Sequence, residues 1–187
     1  MGSEEDLSSH IHHSRAFAVV GTPTPGSRLV DLGSGNGLPG LVLAMDWPDT
    51  QWWLIETSPR RCDFLRWAAA SLGAADRIEV VEGPAEVIGQ DPDYRSAAQL
   101  VVARAFGPPA TTAECGSAFL AVEGRLIVSE PPEVLQDRWP AAPLEQLGLV
   151  VGPSYTSPIG LQTLLKTSPL SDRFPRRTGV PRKRPLF

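Results

Sequence analysis

Four glycines within eight residues, Gly33, Gly35, Gly37 and Gly40, follow the apolar run Leu29-Val-Asp-Leu32 and precede the apolar stretch Leu41 to Met45. Asp31 stands two residues before the first glycine. A main chain that turns without side chains lets a bulky ligand lie against its N–H groups and the positive end of the next helix. Spacing narrows the choice of ligand. A dinucleotide fingerprint wants glycine or alanine at the sixth position from Gly33, and Leu38 stands there. No Gly-Lys-Ser/Thr follows, which excludes a nucleoside-triphosphate loop. Plain strand-to-helix connections also use glycine, but four is more than a turn needs. A second chemical residue, Glu56, ends the aromatic and β-branched run Gln51-Trp-Trp-Leu-Ile. An acid about 20 residues beyond such a turn can accept hydrogen bonds from ribose hydroxyls. A lone glutamate there can also be merely solvated; the glycine turn upstream favours the ribose.

Elements must place these groups together. Apolar patterning predicts a short N-terminal helix over Ser14 to Val20, then a strand near Arg28–Leu32 and a helix near Leu38–Met45. A strand over Gln51–Glu56 and a helix over Pro59–Leu72 follow. Ser58 is expected as N-cap, Leu65, Ala68, Ala69 and Leu72 as the buried face, and Gly73 as the stop. Strands are expected over Arg77–Glu82, Gln99–Ala103 and Gly124–Ser129, with a helix around Ala110–Leu120 and another through Glu133–Arg138. Two last strands, Leu147–Val151 and Leu161–Lys166, flank turn residues Pro153 to Gly160 and should pair as a hairpin. Alternating units of this kind predict an α/β, mainly parallel sheet of seven strands with helices on both faces. Ligands then sit beyond the carboxyl ends of the strands. The reading gives a short helical segment over 1–20, a ligand-binding domain over 21–168 and a basic tail over 169–187.

Composition bounds the class. With 187 residues, 42% hydrophobic and 20% charged, the chain should form one globular domain. No apolar run approaches about 18 residues and the N-terminus is polar and acidic, so a membrane span and a secretory signal are not expected. Cys62 and Cys115 fit no metal or redox spacing and read as reduced thiols of a cytoplasmic protein, with Cys62 packed in its helix. No metal is expected, and His10, His12 and His13 lack partner ligands. From Arg173 onward stand Arg173, Arg176, Arg177, Arg182, Lys183 and Arg184 and no acid, so the net −4 of the whole becomes −10 for the rest. Such a tail either contacts nucleic-acid phosphate or is a solvated, disordered arm. Trp52 and Trp53 should point to opposite faces of their strand and, like Trp67, pack in the core, whereas Trp47 and Trp139 lie beside prolines at element ends.

Hydrophobic-Asp-hydrophobic-Gly-x-Gly-x-Gly resembles motif I of the class I, Rossmann-like S-adenosyl-L-methionine-dependent methyltransferases. The chain further resembles a narrower family, the bacterial 16S ribosomal RNA guanine-N7 methyltransferases (glucose-inhibited division protein B). The match lies in the turn from Asp31 to Gly40, in Glu56 with Arg60, Arg61, Phe64 and Leu65, and in Ala85-Glu86. It continues in Ala103-Arg104-Ala105-Phe106, in His10 to Ser14, and in the ending Phe174-Pro-Arg-Arg-Thr-Gly-Val-Pro-Arg-Lys-Arg-Pro-Leu186. The resemblance implies that Asp31, Gly33, Ser34, Gly35, Gly37 and Leu38 surround the methionine end of the cofactor. It implies Glu56 on the ribose, and Ala85 and Glu86 beside the adenine. Arg104 is implied to anchor the cofactor carboxylate or the substrate edge; the competing expectation is an ion pair with an acid such as Glu82. Arg176, Arg177, Arg182, Lys183 and Arg184 are implied to contact 16S rRNA or the 30S subunit, the protein acting as a monomer. Guanine N7 has a free lone pair, so in-line transfer needs positioning and no general base.

Departures from the family keep two alternatives open. Only nine residues precede His10, His13 stands where the family has Asp, and Ser129-Glu130-Pro131-Pro132 replaces a Lys-Gly after the fifth strand. That segment imitates the Asn/Asp-Pro-Pro-Tyr motif of amino-group methyltransferases but follows the wrong strand. A small-molecule methyltransferase and a non-catalytic, S-adenosylmethionine-binding relative are the alternatives.

Overall fold

The structure is a computed structural model and describes residues 4–20, 22–131 and 137–187. Its strands among the described residues are β1 (Arg28–Leu32), β2 (Gln51–Glu56), β3 (Ile78–Glu82), β4 (Ala98–Ala103), β5 (Leu120–Ser129), β6 (Leu149–Tyr155) and β7 (Leu161–Lys166). They form one sheet in the order β3-β2-β1-β4-β5-β7-β6. β1 to β5 are parallel, and β7 is antiparallel to both of its neighbours. The helices are α1 (Glu4–Arg15), α2 (Gly40–Asp46), α3 (Pro59–Ser71), α4 (Ala85–Ile88), α5 (Pro109–Phe119), α6 (Ala141–Gln146) and α7 (Val180–Lys183). Strand order reverses between β1 and β4, which pair directly, so a crevice opens at their carboxyl ends.

Side-chain alternation divides the core into two layers. Leu29, Trp52, Leu54, Leu100 and Val102 face α2, α3 and the 3₁₀ turn Ala16–Val20. Val30, Leu32, Trp53, Ile55 and Val101 face α4, α5 and the chain's end. Trp52 and Trp53 therefore do point to opposite faces, and both are buried. No helix among the described residues is long and apolar enough to cross a membrane.

Several elements differ from expectation for local reasons. The N-terminal helix is Glu4–Arg15, and the stretch Ala16–Val20 forms a 3₁₀ turn that buries Phe17. Helix α2 starts at Gly40, not Leu38, because residues 35–39 are spent on the glycine turn. Ser58 sits at the N-cap of α3 but makes no side-chain cap; its main-chain N–H donates to Glu56. Leu72 is half exposed as the C-cap, and Cys62 takes its expected place on the buried face. Trp67 is 64% exposed, not packed in the core. β6 runs on to Tyr155 through Pro153, which the outer strand of the sheet tolerates. Most of the helix expected over Glu133–Arg138 lies outside the described residues; Asp137 and Arg138 form a turn, and a helix begins after Pro140 instead.

The basic ending is not a loose arm. Arg95 donates to the carbonyls of Gly89, Leu170, Ser171 and Phe174, and Gln90 to those of Asp172 and Pro175. Thr111 Oγ1–H donates to Pro181, and Glu114 holds Arg176 through contacts of 2.6 to 3.1 Å. Residues 110–119 of α5 are all buried, between the sheet and this strap.

Candidate functional site

Two neighbouring regions at the carboxyl ends of the strands carry the chemistry. The first is the glycine turn. Gly33, Gly35 and Gly37 all have left-handed backbones, at φ 73°, 56° and 86°. Their missing side chains serve different ends. A Cβ on Gly33 would meet the Phe106 ring at 2.6 Å, and one on Gly37 would meet Leu41. One on Gly40 would strike Asp31 at 2.5 Å. Those three spaces are filled by the protein itself. Gly35 is different, since a Cβ there would meet only the Gly33 carbonyl at 3.8 Å. Its bare face is therefore free to receive a ligand.

Asp31 is fully buried, and its Oδ2 accepts the Gly40 N–H at 2.9 Å. The first N–H of α2 is thus taken by the protein's own carboxyl group. Burial pushes the Asp31 carboxyl up to about 7, the Gly40 N–H offsetting only part of the cost. Ser34 Oγ–H donates to the Asp31 main-chain carbonyl at 2.9 Å and closes the turn. Leu38 is half-buried beside it.

Glu56 faces the turn from β2. Its Oε2 accepts the Gly35 N–H at 2.9 Å, and Oε1 accepts the N–H groups of Thr57 and Ser58 at 2.8 and 2.9 Å. Burial alone would raise its pKa. The N–H donors of Ser58, Gly35 and Thr57, with the Arg61 guanidinium 3.9 Å away, outweigh that and hold it below the ordinary carboxylate value. It is an ionised acceptor fixed in place. Ala85 is buried at the start of α4, beyond the end of β3. Glu86, next to it, accepts the Gly179 N–H at 2.9 Å and so fastens the basic ending.

The second region is a cleft of about 550 Å³ lined by His13, Arg104, Glu130, Arg138, Trp139 and Gln162, among others. Arg104 enters it from the loop after β4. Ala105 takes a left-handed φ of 54°, a conformation that costs an L-residue roughly 1–2 kcal/mol. The turn sends Arg104 toward the cleft and Phe106 back over Gly33, joining the two regions. The expected ion pair of Arg104 with Glu82 does not form, because β2 and β1 lie between β3 and β4 in the sheet; Glu82 pairs with Arg66. Arg104 instead lies 3.0 Å from His10 Nδ1. A guanidinium only donates, so Nδ1 is the acceptor side of that contact. His13 lines the cleft and His12 is exposed.

The tail residues separate into two groups. Arg176 is paired with the buried Glu114, its side chain 25% exposed. Arg177, Arg182, Lys183 and Arg184 are exposed. Phe187 packs edge-on against Trp139 with ring centroids 6.4 Å apart, so this cationic ending reaches the cleft wall. Sequence reasoning missed Arg95, Gln90, Arg138 and Trp139 as builders of the site. Arg95 and Gln90 meet partners 79 and 85 residues away, and the hold of Arg138 and Trp139 on the nearby Glu130 follows no recognisable motif.

A family described as rRNA small subunit methyltransferase G matches residues 4–130. A protein of that name from Roseiflexus castenholzii is 34% identical over 190 residues, covering 98% of this chain and 80% of its own length. Among solved structures, an S-adenosyl-L-methionine-dependent methyltransferase from Methanococcus maripaludis aligns with TM-score 0.67 and 15% identity over 88% of each chain. Geranyl diphosphate C-methyltransferase from Streptomyces coelicolor, in complex with S-adenosyl-L-homocysteine, aligns with TM-score 0.65 and 13% identity over 86% of this chain and 79% of its own. Those two likenesses concern the fold.

Proposed function

The chain belongs to the family of ribosomal RNA small subunit methyltransferases G, and from that premise we propose that it transfers a methyl group from S-adenosyl-L-methionine to N7 of a guanine in 16S ribosomal RNA. The observation that carries the reading is the Phe106 contact. It packs the loop bearing Arg104 onto the glycine turn, so a cofactor cradle and a substrate cleft share one wall.

The residues present fit the cofactor. Gly35 leaves an open face, and beside it Glu56 offers an ionised carboxylate whose Oε2 accepts the Gly35 N–H and keeps a lone pair for a ribose hydroxyl. When bound, S-adenosyl-L-methionine supplies an electrophilic methyl group on a sulfonium. The turn from Gly33 to Leu38 would hold its amino-acid end, and Ala85 would border the adenine. Arg104 would orient the incoming base from the cleft side, with His10 steadying its guanidinium. Guanine N7 carries a lone pair and no proton, so the chain need only align donor and acceptor and exclude water. Arg177, Arg182, Lys183 and Arg184 would grip RNA phosphates, their positions set by the strap through Arg95 and Arg176.

The test is methyl transfer from radiolabelled S-adenosyl-L-methionine to 30S subunits that lack the modification, with the product mapped along the RNA. Label at one 16S guanine, in a form cleaved as 7-methylguanosine, is expected. Label in a small-molecule extract but not in 30S subunits, or cofactor binding without any transfer, would overturn it.

A further inference from the structure

The most unexpected group on the cleft wall is a carboxylate. Glu130 follows β5, and its side chain is 16% exposed. Trp139 Nε1–H donates to its Oε1 at 2.8 Å, and Arg138 pairs with its Oε2. Its own N–H donates to the Gly160 carbonyl at 2.8 Å. The adjacent Arg138 and Trp139 thus fix the carboxylate from one side, one to each oxygen, while the Gly160 carbonyl anchors the main chain that carries it. A carboxylate can accept about four hydrogen bonds, so each oxygen keeps capacity for another donor.

An anion on the wall of a cleft that receives RNA repels phosphate. It suits only a part of the nucleotide that presents donors. Among the four bases, guanine alone offers two adjacent donors on its Watson–Crick edge, N1–H and the N2 amino group. The N7 edge lies on the opposite side of the same ring plane. A guanine held by those two donors therefore turns N7 away from the carboxylate and toward the rest of the cleft, where Arg104 stands. The geometry points to Glu130 as the residue that selects guanine, accepting from N1–H and N2–H while the Trp139 indole it holds forms the adjoining wall. Extruded bases are commonly read along that edge and against an aromatic wall. This inference rests on the proposed guanine substrate and adds the group that would choose it.

Its test is binding of guanosine, inosine and adenosine 5′-monophosphates to the full chain saturated with S-adenosyl-L-homocysteine, followed by ligand-observed NMR. Inosine keeps N1–H and lacks the N2 amino group. Guanosine monophosphate should bind about tenfold more tightly than inosine monophosphate, as expected for one charge-assisted hydrogen bond, and adenosine monophosphate more weakly than either. In Glu130→Gln the preference for guanosine over inosine should collapse toward unity, since an amide cannot accept from both donors. The wild-type ratio needs no variant and stands even if Glu130→Gln misfolds. Equal binding of guanosine and inosine monophosphates, or no binding of either, would overturn Glu130 as the reader, as would an unchanged preference in a folded Glu130→Gln. Methyl transfer to 30S subunits by the same wild-type sample separates the two claims: transfer without discrimination sinks only this one, and no transfer sinks the proposed reaction.

Discussion

Replacing Arg176 with alanine should destabilise the fold, whereas replacing its neighbour Arg177 should not. Arg176 closes on Glu114 with Nη2 at 2.6 Å and Nε at 3.0 and 3.1 Å from the two carboxylate oxygens. Glu114 is 1% exposed in the middle of α5. Removing one partner of such a pair leaves a buried charge and costs about 3–5 kcal/mol. The main-chain N–H of residue 176 also donates to Glu114, at 2.8 Å, and would survive the substitution. The cost should therefore fall near the low end, about 3 kcal/mol, or roughly 6–12 °C in melting temperature for a chain of this size. Arg177 is exposed and its truncation should stay within about 0.5 kcal/mol. Calorimetric melting of both variants beside filter binding to 16S RNA separates the roles. Arg177→Ala should lose RNA affinity at unchanged stability. If Arg176→Ala melted with the wild type while losing as much RNA affinity as Arg177→Ala, the strap would not be what holds the ending in place.

Three further outcomes follow from the same contacts. The Asp31 carboxyl, with its folded pKa near 7 against 3.8 in a free chain, lends stability in acid that is lost as pH rises through about 7. Urea unfolding should show about 2–3 kcal/mol lost between about pH 5 and pH 8 from this group, and Asp31→Asn should remove that slope. Lys166 is buried with Nζ 2.7 Å from the Leu147 carbonyl, and burial, reinforced by Arg95, lowers its pKa from 10.5 to about 8. Its unfolded form binds the proton more tightly, so stability should climb as pH rises from about 8 toward 10; Lys166→Met should flatten that climb in the same assay. Converting Arg182, Lys183 and Arg184 together to serine should lower the slope of log affinity for 16S RNA against log salt by about 2, and an unchanged slope would free those cations from phosphate contact.

How much was legible in the sequence follows the range of the interactions. The parallel sheet could be read because each strand is a short apolar run bounded by turn residues, as in Gln51–Glu56. The place of Glu56 facing the glycine turn could be read because a strand, a turn and the next strand fix its spacing, whereas its bond to the Gly35 N–H could not. Trp67 was misplaced because the apolar periodicity of α3 is weak, and only the contacts decide which side is covered. The pairing of Arg176 with Glu114 could not be read because the partner lies 62 residues away in an unremarkable helix. Gly33, Gly37 and Gly40 look alike in sequence, yet each makes room for a protein side chain, which only the packing of Phe106, Leu41 and Asp31 reveals.

The central claim is that the open backbone at Gly35 and the fixed carboxylate of Glu56 form the cofactor's seat. Isothermal titration of the folded chain and of Glu56→Gln with S-adenosyl-L-homocysteine tests it most directly. The account predicts one site per chain in the wild type and an affinity at least about tenfold weaker in the variant, the scale of a hydrogen bond to a charged group. No heat of binding to the wild type, or equal affinity in a Glu56→Gln variant that keeps its fold, would contradict it.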